Sequence, residues 1–499
     1  MGSIHVQRER EIKLLLGDDG ELPELDGLGG LAVRPLGTHD LGAAYWDTEE
    51  ARLEAWGCSL RHREGCWTAK FAIDADIHTL IREEVAVDGS PEKIPDEITG
   101  LVWPFTRGRQ LAPIAHLTVR RRAFAILGPD GRQVAVLTDD SVDAHGTGVT
   151  RPHFREVEVE FAHETDRGTI APVVEALISA GALGGDPQPK IARALGTAAA
   201  RPPEVRIPTI SPVPTAREVI HAAIAEATRR MIVHLPEAWV GVHPRGVHQA
   251  RVAMRRLRSD LSTWSVLVDR RWADSLRSEL RWLAHRLGPV RNMDVLIDLV
   301  TDLGEDHEDI DRRSLGALIG ELDARRDVAR AAMRSAIHSE RTANLLDDLV
   351  AAAADPPTSP QADDPAAALM RPLVRRRVRR MKKAAERLRG DTPDEDLHRL
   401  RIHAKRVRYA AEAARPAAGA PAKRLAKRAA ALQDTLGEIN DARVAADVLS
   451  PIAAGGGDAA FAAGQVSGLL IAGAAQARDQ WVDDWRKLRR DSVRGWRGK

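Results

Sequence analysis

The pattern of apolar and polar residues changes character near residue 200. Residues 1–195 contain short segments in which apolar and polar side chains alternate, with glycine, aspartate and proline between them. Such alternation is typical of half-buried β-strands. From Thr215 onward the chain is rich in alanine, leucine and arginine at helical spacing, nearly to its end. The pattern therefore predicts an α+β protein with a β-rich N-terminal half and an all-α C-terminal half.

Two proline-rich stretches divide the chain. Residues 201–214 contain five prolines, which predict a stiff extended linker. Residues 355–365 interrupt the helical half and predict a mobile loop. We expect a first domain at 3–197, a linker at 198–215 and a helical domain at 216–490, with repeats at about 216–350 and 366–490.

The helical half repeats itself. Residues 248–258 match residues 398–408, an offset of 150 (398 − 248 = 150), and a Leu-Gly pair follows each copy, at Leu287-Gly288 and Leu436-Gly437. We expect these pairs to lie in loops. The copies are too far apart for a solenoid, so the repeat predicts two similar helical bundles related by a pseudo-two-fold axis.

Charged or polar residues alternate along five strand segments of the N-terminal half. They are Glu9, Glu11 and Lys13; Arg61 and Arg63; Thr68 and Lys70; Arg120 and Arg122; and Glu156, Glu158 and Glu160. A period of two puts each set on one face of its strand. One interpretation is an ordinary solvated face. The other is a barrel with a polar interior, in which the cations bind a polyanion and the carboxylates bind Mg²⁺ or Mn²⁺.

Each copy of the helical repeat carries a histidine followed by a row of cations. His248, Arg251, Arg255 and Arg258 share one helical stripe, His398, Arg401, Lys405 and Arg408 repeat it, and Arg256 and Arg406 flank the two stripes. Like charges at this spacing destabilise a free helix. The rows are either solvated basic faces or sites where an anion offsets the repulsion, and each histidine is either a structural hydrogen-bonding group or a phosphate contact.

Composition narrows the classes of function. The 499 residues include 73 Lys+Arg and 72 Asp+Glu, which excludes a uniformly basic histone-like binder and an acidic tail protein. Two cysteines exclude a disulfide scaffold. The absence of a run of ~18 apolar residues and of a signal-like start predicts no membrane span and a cytoplasmic location.

The charged segments of the N-terminal half resemble the CYTH (triphosphate tunnel metalloenzyme) superfamily over about residues 3–197. Glu9-Arg-Glu11-Ile-Lys13 is similar to its ExExK signature. Matches follow in order at Tyr45-Trp-Asp-Thr48, Leu60-Arg-His-Arg63, Trp67-Thr-Ala-Lys70, Arg82-Glu-Glu84, Arg120 to Arg122, Asp139-Asp140, Glu156 to Glu160 and Lys190. Trp46 departs from the Phe or Tyr usual there. The resemblance implies an eight-stranded antiparallel tunnel barrel with flanking helices that hydrolyses a triphosphate with divalent metal.

The same resemblance implies roles for individual residues. Catalytic roles fall to Glu9, Glu11 and Lys13; metal binding to Glu9, Glu11, Asp140, Glu156, Glu158 and Glu160; phosphate binding to Arg61, Arg63, Lys70, Arg120, Arg122 and Lys190, with Glu84 completing the site. The register within 120–122 and 156–160 stays open, and Arg121 is the alternative to Arg120 and Arg122 as the inward residue.

The helical half resembles the CHAD domain, the conserved histidine α-helical domain, over about residues 216–490. The duplicated H-x-x-R-x-x-x-[RK]-[RK]-x-R motif carries this resemblance. It implies two bundles around a basic pore that binds inorganic polyphosphate. The implied contacts are His248, Arg251, Arg255, Arg256, Arg258, Arg291, His398, Arg401, Lys405, Arg406 and Arg408. Asn440 stands in the second copy where Arg291 stands in the first, which predicts weaker binding there.

We therefore expect a Mg²⁺- or Mn²⁺-dependent hydrolase of inorganic triphosphate or short polyphosphate, joined to a polyphosphate-binding domain in a familiar bacterial order. Association with polyphosphate granules and a homo-oligomeric state are left open. The alternatives are a non-catalytic polyphosphate-binding protein, a nucleic-acid-binding protein and an adenylyl cyclase. Only 4% of residues are aromatic and no reader motif is recognisable, which argues against nucleic acid.

Overall fold

The computed structural model describes residues 4–17, 19–76, 79–146, 148–161, 165–184, 189–196, 203–306, 311–388 and 392–494. The chain divides into two compact units, Met1–Glu204 and Val205–Lys499. Of the linker expected at 198–215, residues 198–202 lie outside the described residues. The expected fold class, a closed antiparallel barrel followed by helical bundles, is confirmed.

The first unit is a closed β-barrel with short helices. Its strands are β1 (Ile4–Leu15), β2 (Ala32–Asp47), β3 (Ser59–Arg63), β4 (Cys66–Asp76), β5 (Thr79–Asp88), β6 (Ala112–Leu127), β7 (Gln133–His145), β8 (His153–Phe161) and β9 (Leu183–Gly184). Its helices are α1 (Arg52–Ala55), α2 (Asp96–Thr106), α3 (Arg167–Ser179) and α4 (Lys190–Leu195). The sheet order is β5-β4-β3-β2-β6-β7-β8-β1-β9, and β5 also pairs with β1, so β1 to β8 close into an antiparallel barrel.

The alternation along the strands separates an apolar outer layer from a charged interior. On β1, Ile12 and Leu14 are buried beneath α3, where they pack in one cluster with Ile170 and Val173. The intervening residues of β1, Lys13 among them, therefore point into the barrel. Burial of the outer layer against α3 stabilises the wall that holds the interior charges in place.

Helix α4 closes one end of the barrel. Its Ile191 and Leu195 pack in one cluster with Leu117, Val142 and Phe154 on the inner faces of three strands. The barrel interior is therefore apolar at this end, and the first residue of α4, a lysine, is placed beside the charged middle section.

The second unit consists of helices. They are α5 (Ala216–Val240), α6 (Arg245–Thr263), α7 (Arg270–Asp306), α8 (Arg312–Ile337), α9 (Glu340–Ala354), α10 (Ala366–Ala385), α11 (Asp394–Ala413), α12 (Arg415–Ala418), α13 (Ala420–Ala453) and α14 (Asp458–Arg494). Helices α5 and α10 begin 150 residues apart (366 − 216 = 150), and so do α7 and α13 (420 − 270 = 150). The sequence repeat is thus a repeat of helices.

The start of α5 is stabilised by a local capping motif, and the two repeats are joined by contacts between their helices. Thr215 and Glu218 form a capping box at the start of α5, in which the Thr215 amide donates to Glu218 Oε2 at 2.7 Å. Helix α6 contacts α11, and α8 contacts α14. Leu318 and Leu322 of α8 share a core with Ala462 and Val466 of α14.

The expectation that both Leu-Gly pairs lie in loops was wrong. Both Leu-Gly pairs lie inside long helices, α7 and α13, and not in loops. The stretch at 355–365 is held by backbone hydrogen bonds: the Asp269 amide donates to the Pro357 carbonyl at 2.8 Å, and the Ser359 amide donates to the Leu267 carbonyl at 2.9 Å.

One helix in the described part of the chain is long and apolar enough to cross a membrane by length and composition. It spans Asp458–Arg490 in α14, and an 18-residue window within it has a mean hydropathy of 1.3. This stretch packs along α13 and α8. Length and composition alone do not assign a helix to a membrane, because core helices of soluble proteins pass the same test.

Candidate functional site

A cavity of about 270 Å³ lies inside the barrel. Its charged lining residues are Glu9, Glu11, Lys13, Arg61, Arg63, Lys70, Arg82, Glu84, Arg121, Glu158, Glu160 and Lys190. Leu41, Ala43, Tyr45, Leu117 and Val119 supply an apolar stretch of wall. Most of the residues that the sequence predicted for a tunnel are therefore brought together in one place.

One part of the cavity contains ion pairs around Lys70. Its ammonium lies 2.7 Å from Glu9 Oε2 and 2.6 Å from Glu84 Oε2, and Arg61 Nη2 lies 3.8 Å from Glu84 Oε1. Burial works against ionised Glu84, but Lys70 and Arg61 outweigh it and lower the pKa of Glu84 to about 2.

For two carboxylates of the cavity, Glu9 and Glu160, the nearby positive charge does not offset the cost of burial. Burial raises the pKa of Glu9 to about 7; Lys70 opposes the shift and the neighbouring Glu84 adds to it. Burial also raises the pKa of Glu160, and nearby Glu11 and Glu158 act in the same direction. Ionised carboxylates in this state favour a further cation.

A buried ionic network lies deeper in the barrel. Lys13 contacts Glu158, and its ammonium lies 3.3 Å from Glu156 Oε1. Lys190 lies 2.7 Å from Glu158 Oε2, 2.9 Å from Glu156 Oε1 and 3.1 Å from Asp140 Oδ2. Burial opposes both ammonium charges, yet the surrounding carboxylates raise the pKa of Lys13 and of Lys190 above the usual value.

Three guanidinium groups, those of Arg61, Arg63 and Arg121, line the cavity. Arg121 makes a bidentate pair with Asp140, at 2.8 and 2.7 Å. Burial lowers the pKa of Arg63, and the nearby charges of Arg61 and Arg121 act in the same direction. Arg63 makes no ion pair with any residue that the structure describes, so its guanidinium is available to an anion.

The expectation that Arg120 and Arg122 face the tunnel was wrong. Both line a separate outer groove of about 590 Å³ with Asp139 and Arg155. Arg122 Nε donates to Asp139 Oδ2 at 2.9 Å. Because side chains alternate on a strand, Arg121 between them takes the inward position.

Only four of the six residues predicted to bind metal line the cavity. Glu9, Glu11, Glu158 and Glu160 line the cavity. Asp140 and Glu156 are fully buried beneath it and are already paired with cations. No three His, Cys, Asp or Glu side chains of the described ranges lie close enough to hold a metal by themselves.

A second cavity, of about 1110 Å³, lies in the helical unit. Its basic lining residues are Arg230, His248, Arg251, Arg255, Arg256, Arg291, Arg401, Lys405, Arg408 and Arg415. Glu226, Glu412, Gln433, Asn440 and Asp441 also line it. Both repeats contribute, so the two cationic rows meet at a common cavity. Sequence patterns did not single out Arg230, Arg415, Glu226 or Glu412, because none of them belongs to the repeated motif.

Three predicted phosphate contacts, Arg258, Arg406 and His398, do not line this cavity. Ten residues of helix advance about 15 Å, so Arg258 lies well beyond His248 along α6. His398 is also outside the cavity lining, and its Nδ1 is hydrogen-bonded to Asn440 Oδ1, whereas His248 lines the cavity.

Carboxylates partly offset the cations of the helical cavity. Arg408 Nε donates to Glu412 Oε1 at 2.9 Å, and Arg256 Nη1 lies 3.9 Å from Glu412 Oε2. Arg401 Nη2 lies 3.7 Å from Asp441 Oδ1. Glu412 therefore joins one cation from each repeat.

Other cations of this cavity are in excess of the carboxylates. Burial lowers the pKa of Lys405 to about 7, and Arg401 and Arg255 act in the same direction. Burial also lowers the pKa of Arg251 to about 10, again with Arg255 and Arg291. The field in the cavity thus opposes added positive charge and favours an anion.

Comparisons with known proteins bear on each unit. The sequence model of the CHAD domain matches residues 222–450. Two uncharacterized proteins of Mycobacterium tuberculosis, from strains CDC 1551 and H37Rv, are each 27% identical over 482 residues, which cover 89% of this chain and 88% of theirs.

Solved structures are similar to parts of the chain. The CHAD domain from the plant Ricinus communis is 25% identical and covers 57% of this chain and 95% of its own, with a TM-score of 0.48. PptA from Streptomyces chartreusis is 21% identical and covers 55% and 99%, with a TM-score of 0.46. A putative adenylate cyclase from Bacillus halodurans is 17% identical and covers 39% and 98%, with a TM-score of 0.25.

Proposed function

Because the C-terminal unit carries a CHAD domain and the N-terminal barrel resembles the CYTH tunnel fold, we propose that this protein is a metal-dependent hydrolase of inorganic triphosphate or short polyphosphate that also binds long polyphosphate. The hydrolase is assigned to the barrel cavity, and the binding of long chains is assigned to the helical cavity.

The observation that carries the hydrolase assignment is the meeting of three guanidinium groups and unsatisfied carboxylates in one cavity. Arg61 and Arg63 supply forked donors that match phosphate oxygens, and Arg121, whose Nε and Nη2 pair with Asp140, adds its positive charge. They bind the substrate and stabilise negative charge as it develops on the transferred phosphoryl group. No covalent nucleophile is required for transfer to water.

The cavity also fits a divalent cation that arrives with the substrate. Glu11 Oε1 is buried without a hydrogen bond from the residues described, although Arg82 Nε lies 3.5 Å away, and burial raises the pKa of Glu9 to about 7 despite the nearby Lys70. Mg²⁺ is commonly held by one or two carboxylates plus substrate phosphates, not by a complete protein cage. Glu9 and Glu11, with Glu160 nearby, would hold it, and it would neutralise charge on the phosphate chain.

The size and lining of the barrel cavity favour inorganic phosphate chains. Its 270 Å³ are below the range of about 300–1,000 Å³ typical of pockets for organic ligands. Its apolar end is filled by α4. An inorganic phosphate chain fits this volume better than a nucleotide or a thiamine phosphate, which ranks the adenylyl cyclase alternative low.

The helical cavity supports binding of a long polyanion. A polyphosphate chain carries charge along its whole length, and the cavity offers cations from both repeats at a volume of about 1110 Å³. Affinity should fall steeply with salt, because each contact releases counterions.

Phosphate release from tripolyphosphate with Mg²⁺ tests the hydrolase assignment. We expect Glu9→Gln/Glu11→Gln to lose at least about 100-fold in rate, which is the order of loss when charge stabilisation is removed. Glu49→Gln/Glu92→Gln removes two exposed carboxylates from the same unit and should keep the wild-type rate. A folded wild-type chain that releases no phosphate with either Mg²⁺ or Mn²⁺ would contradict the assignment.

A non-catalytic phosphate clamp is the second candidate. It is favoured by the ion pairs of Lys13 and Lys190, because three carboxylates predicted to bind metal are already paired with these lysines. Tight binding of tripolyphosphate without hydrolysis, in the same assay, would select this candidate.

A further inference from the structure

Lys405 breaks the symmetry of the two cationic rows. Its equivalent in the first repeat is Arg255 (405 − 255 = 150), and both side chains line the helical cavity. One helical turn earlier the repeats agree, because Arg251 and Arg401 are equivalent (401 − 251 = 150). The second repeat therefore places an amine where the first places a guanidinium. Only the amine can lose its proton in a protein.

The amine of Lys405 has no acceptor in the cavity. Its side chain is half-buried, and it makes no hydrogen bond or ion pair with any residue that the structure describes. The cavity carboxylates pair with other cations: Glu412 Oε1 accepts from Arg408 Nε at 2.9 Å, and Asp441 Oδ1 lies 3.7 Å from Arg401 Nη2. Lys405 is therefore a cavity cation without a counter-charge of its own.

The arginines around Lys405 also carry unused donors. Arg401 lies one turn before it on α11, and α11 contacts α6, which carries Arg251 and Arg255. The Nε atoms of these three arginines are buried and make no hydrogen bond within the described ranges. Arg251 is nevertheless held in place, because its Nη1 donates to the Ala284 carbonyl at 2.6 Å. Buried donors without acceptors cost free energy, so this part of the cavity favours a new acceptor.

The same surroundings leave the amine reactive. Burial lowers the pKa of Lys405 to about 7, and the charges of Arg401 and Arg255 act in the same direction. At about pH 8 most Lys405 side chains are unprotonated, whereas an ordinary lysine with a pKa of about 10.4 is almost entirely protonated. An unprotonated lysine amine is a nucleophile. The arginines that repel an ammonium group stabilise an anion at the same place.

We propose that Lys405 is a modification site, at which its amine reacts with carbon dioxide to form a carbamate. The Nζ lone pair attacks the carbon of CO₂, a C–N bond forms, and one C=O electron pair moves onto oxygen. Nζ then releases one proton to solvent, so the step needs no oxidant, reductant or leaving group. The product carries two acceptor oxygens in the cavity that holds the unused Nε donors. CO₂ is small and uncharged, so the cations of the cavity do not exclude it.

Carbamate formation at Lys405 regulates the cavity, a consequence that rests on the function proposed above for the helical unit. The reaction removes one cation from the cavity lining and adds an anion beside Arg251, Arg255 and Arg401. Phosphate oxygens would then meet a negative charge where the free protein offers a positive one. CO₂ and polyphosphate therefore oppose each other, and each lowers the affinity for the other by the same factor.

¹³C NMR of the full chain in labelled bicarbonate at about pH 8 tests the modification. We expect a protein-bound carbamate resonance that is lost in Lys405→Arg and in Lys405→Gln. Lys423→Gln removes an exposed lysine of α13 and should keep this resonance. The N-terminal amine, with a pKa of about 8, also reacts with CO₂, and its signal stays in every variant. A folded wild type whose spectrum equals those of both Lys405 variants overturns the proposal.

Titration with long-chain polyphosphate, with bicarbonate or with chloride at equal pH and ionic strength, tests the regulation. We expect bicarbonate to weaken wild-type binding about tenfold. Binding by Lys405→Arg, which keeps a cation and cannot form a carbamate, should not depend on the choice of anion. Equal weakening of both proteins overturns the regulation and assigns the effect to free bicarbonate. A wild-type chain that binds no polyphosphate contradicts the proposed function, whereas the NMR result still decides the modification.

Discussion

Gly288 leaves the space that the guanidinium of Arg251 occupies. A Cβ atom at Gly288 would lie 2.9 Å from Arg251 Nη1, and this nitrogen donates to the Ala284 carbonyl at 2.6 Å. The second repeat differs, because a Cβ at Gly437 would lie 3.7 Å from Arg401 Nε, an ordinary van der Waals contact. Gly288 thus allows Arg251 to lie against the neighbouring helix and reach the cavity.

Gly288→Ala should weaken polyphosphate binding without destabilising the protein. The new methyl group displaces the Arg251 guanidinium, at a cost of about 1.4 kcal/mol or tenfold in affinity. Alanine is a better helix former than glycine by about 1 kcal/mol, so the helix itself should not weaken. Titration calorimetry and thermal unfolding measure the two effects separately.

Gly320→Ala is the matched control, because no atom lies within 4 Å of the added Cβ. It should bind polyphosphate like the wild type. Wild-type affinity in Gly288→Ala would show that Arg251 does not contact the ligand from this position.

Glu412→Gln should strengthen polyphosphate binding. Glu412 pairs with Arg408 at 2.9 Å and lies 3.9 Å from Arg256, so it competes with phosphate for one cation of each repeat. Removing its charge should gain about 1 kcal/mol, roughly fivefold in affinity. Glu321→Gln, which breaks an ion pair with Arg325 on α8, is the control. Unchanged or weaker binding by Glu412→Gln would refute this competition.

Polyphosphate binding should take up a proton near neutral pH. In the free protein, burial and then Arg401 and Arg255 hold the pKa of Lys405 at about 7. A bound polyanion favours the charged lysine and raises its pKa toward about 10.4. Affinity should therefore be highest below about pH 7 and fall as the pH rises toward about 9.

Lys405→Arg tests this linkage, because arginine stays charged throughout that range. Its affinity should change less than that of the wild type between about pH 7 and about pH 9. Equal slopes for the two proteins would assign the pH dependence to another group.

Lys13→Met should strongly destabilise the barrel. Lys13 is almost fully buried among Glu11, Glu156 and Glu158. Its loss removes one of the two ammonium groups that balance Glu156 and Glu158 and leaves Lys190 as the other. An undercompensated buried charge of this kind costs up to about 3–5 kcal/mol. Urea unfolding of the full chain measures the loss, and adding Glu158→Gln to the variant should recover part of it. Stability equal to that of exposed Lys93→Met would contradict the network described for the barrel.

The sequence predicted the barrel and most of its charged lining, but it did not predict the register of β6. A polar row, with Arg120 and Arg122, alternates there with Leu117 and Val119. The assumption that a polar face must be the tunnel face placed the polar row inside. The tunnel wall at β6 is in fact apolar up to Arg121, so three consecutive arginines could not reveal which of them points inward.

The sequence predicted that the motif residues share one stripe of a helix. It did not predict which of them line the cavity, because that depends on how the helices pack. Spacing put His248 and Arg251 on one stripe, and both line the cavity. The same spacing could not show that α6 carries Arg258 past the end of the cavity. Glu412 joins the site only through the crossing of two helices, and no pattern within one helix contains that information.

Diffraction from crystals grown with tripolyphosphate and Mn²⁺ tests the barrel site most directly. We predict phosphate oxygens within hydrogen-bond distance of Arg61, Arg63 and Arg121, and an anomalous Mn²⁺ peak beside Glu9 and Glu11. Tripolyphosphate density found only outside the barrel, with an interior that binds neither phosphate nor metal, would contradict the assignment of the tunnel as a triphosphate site.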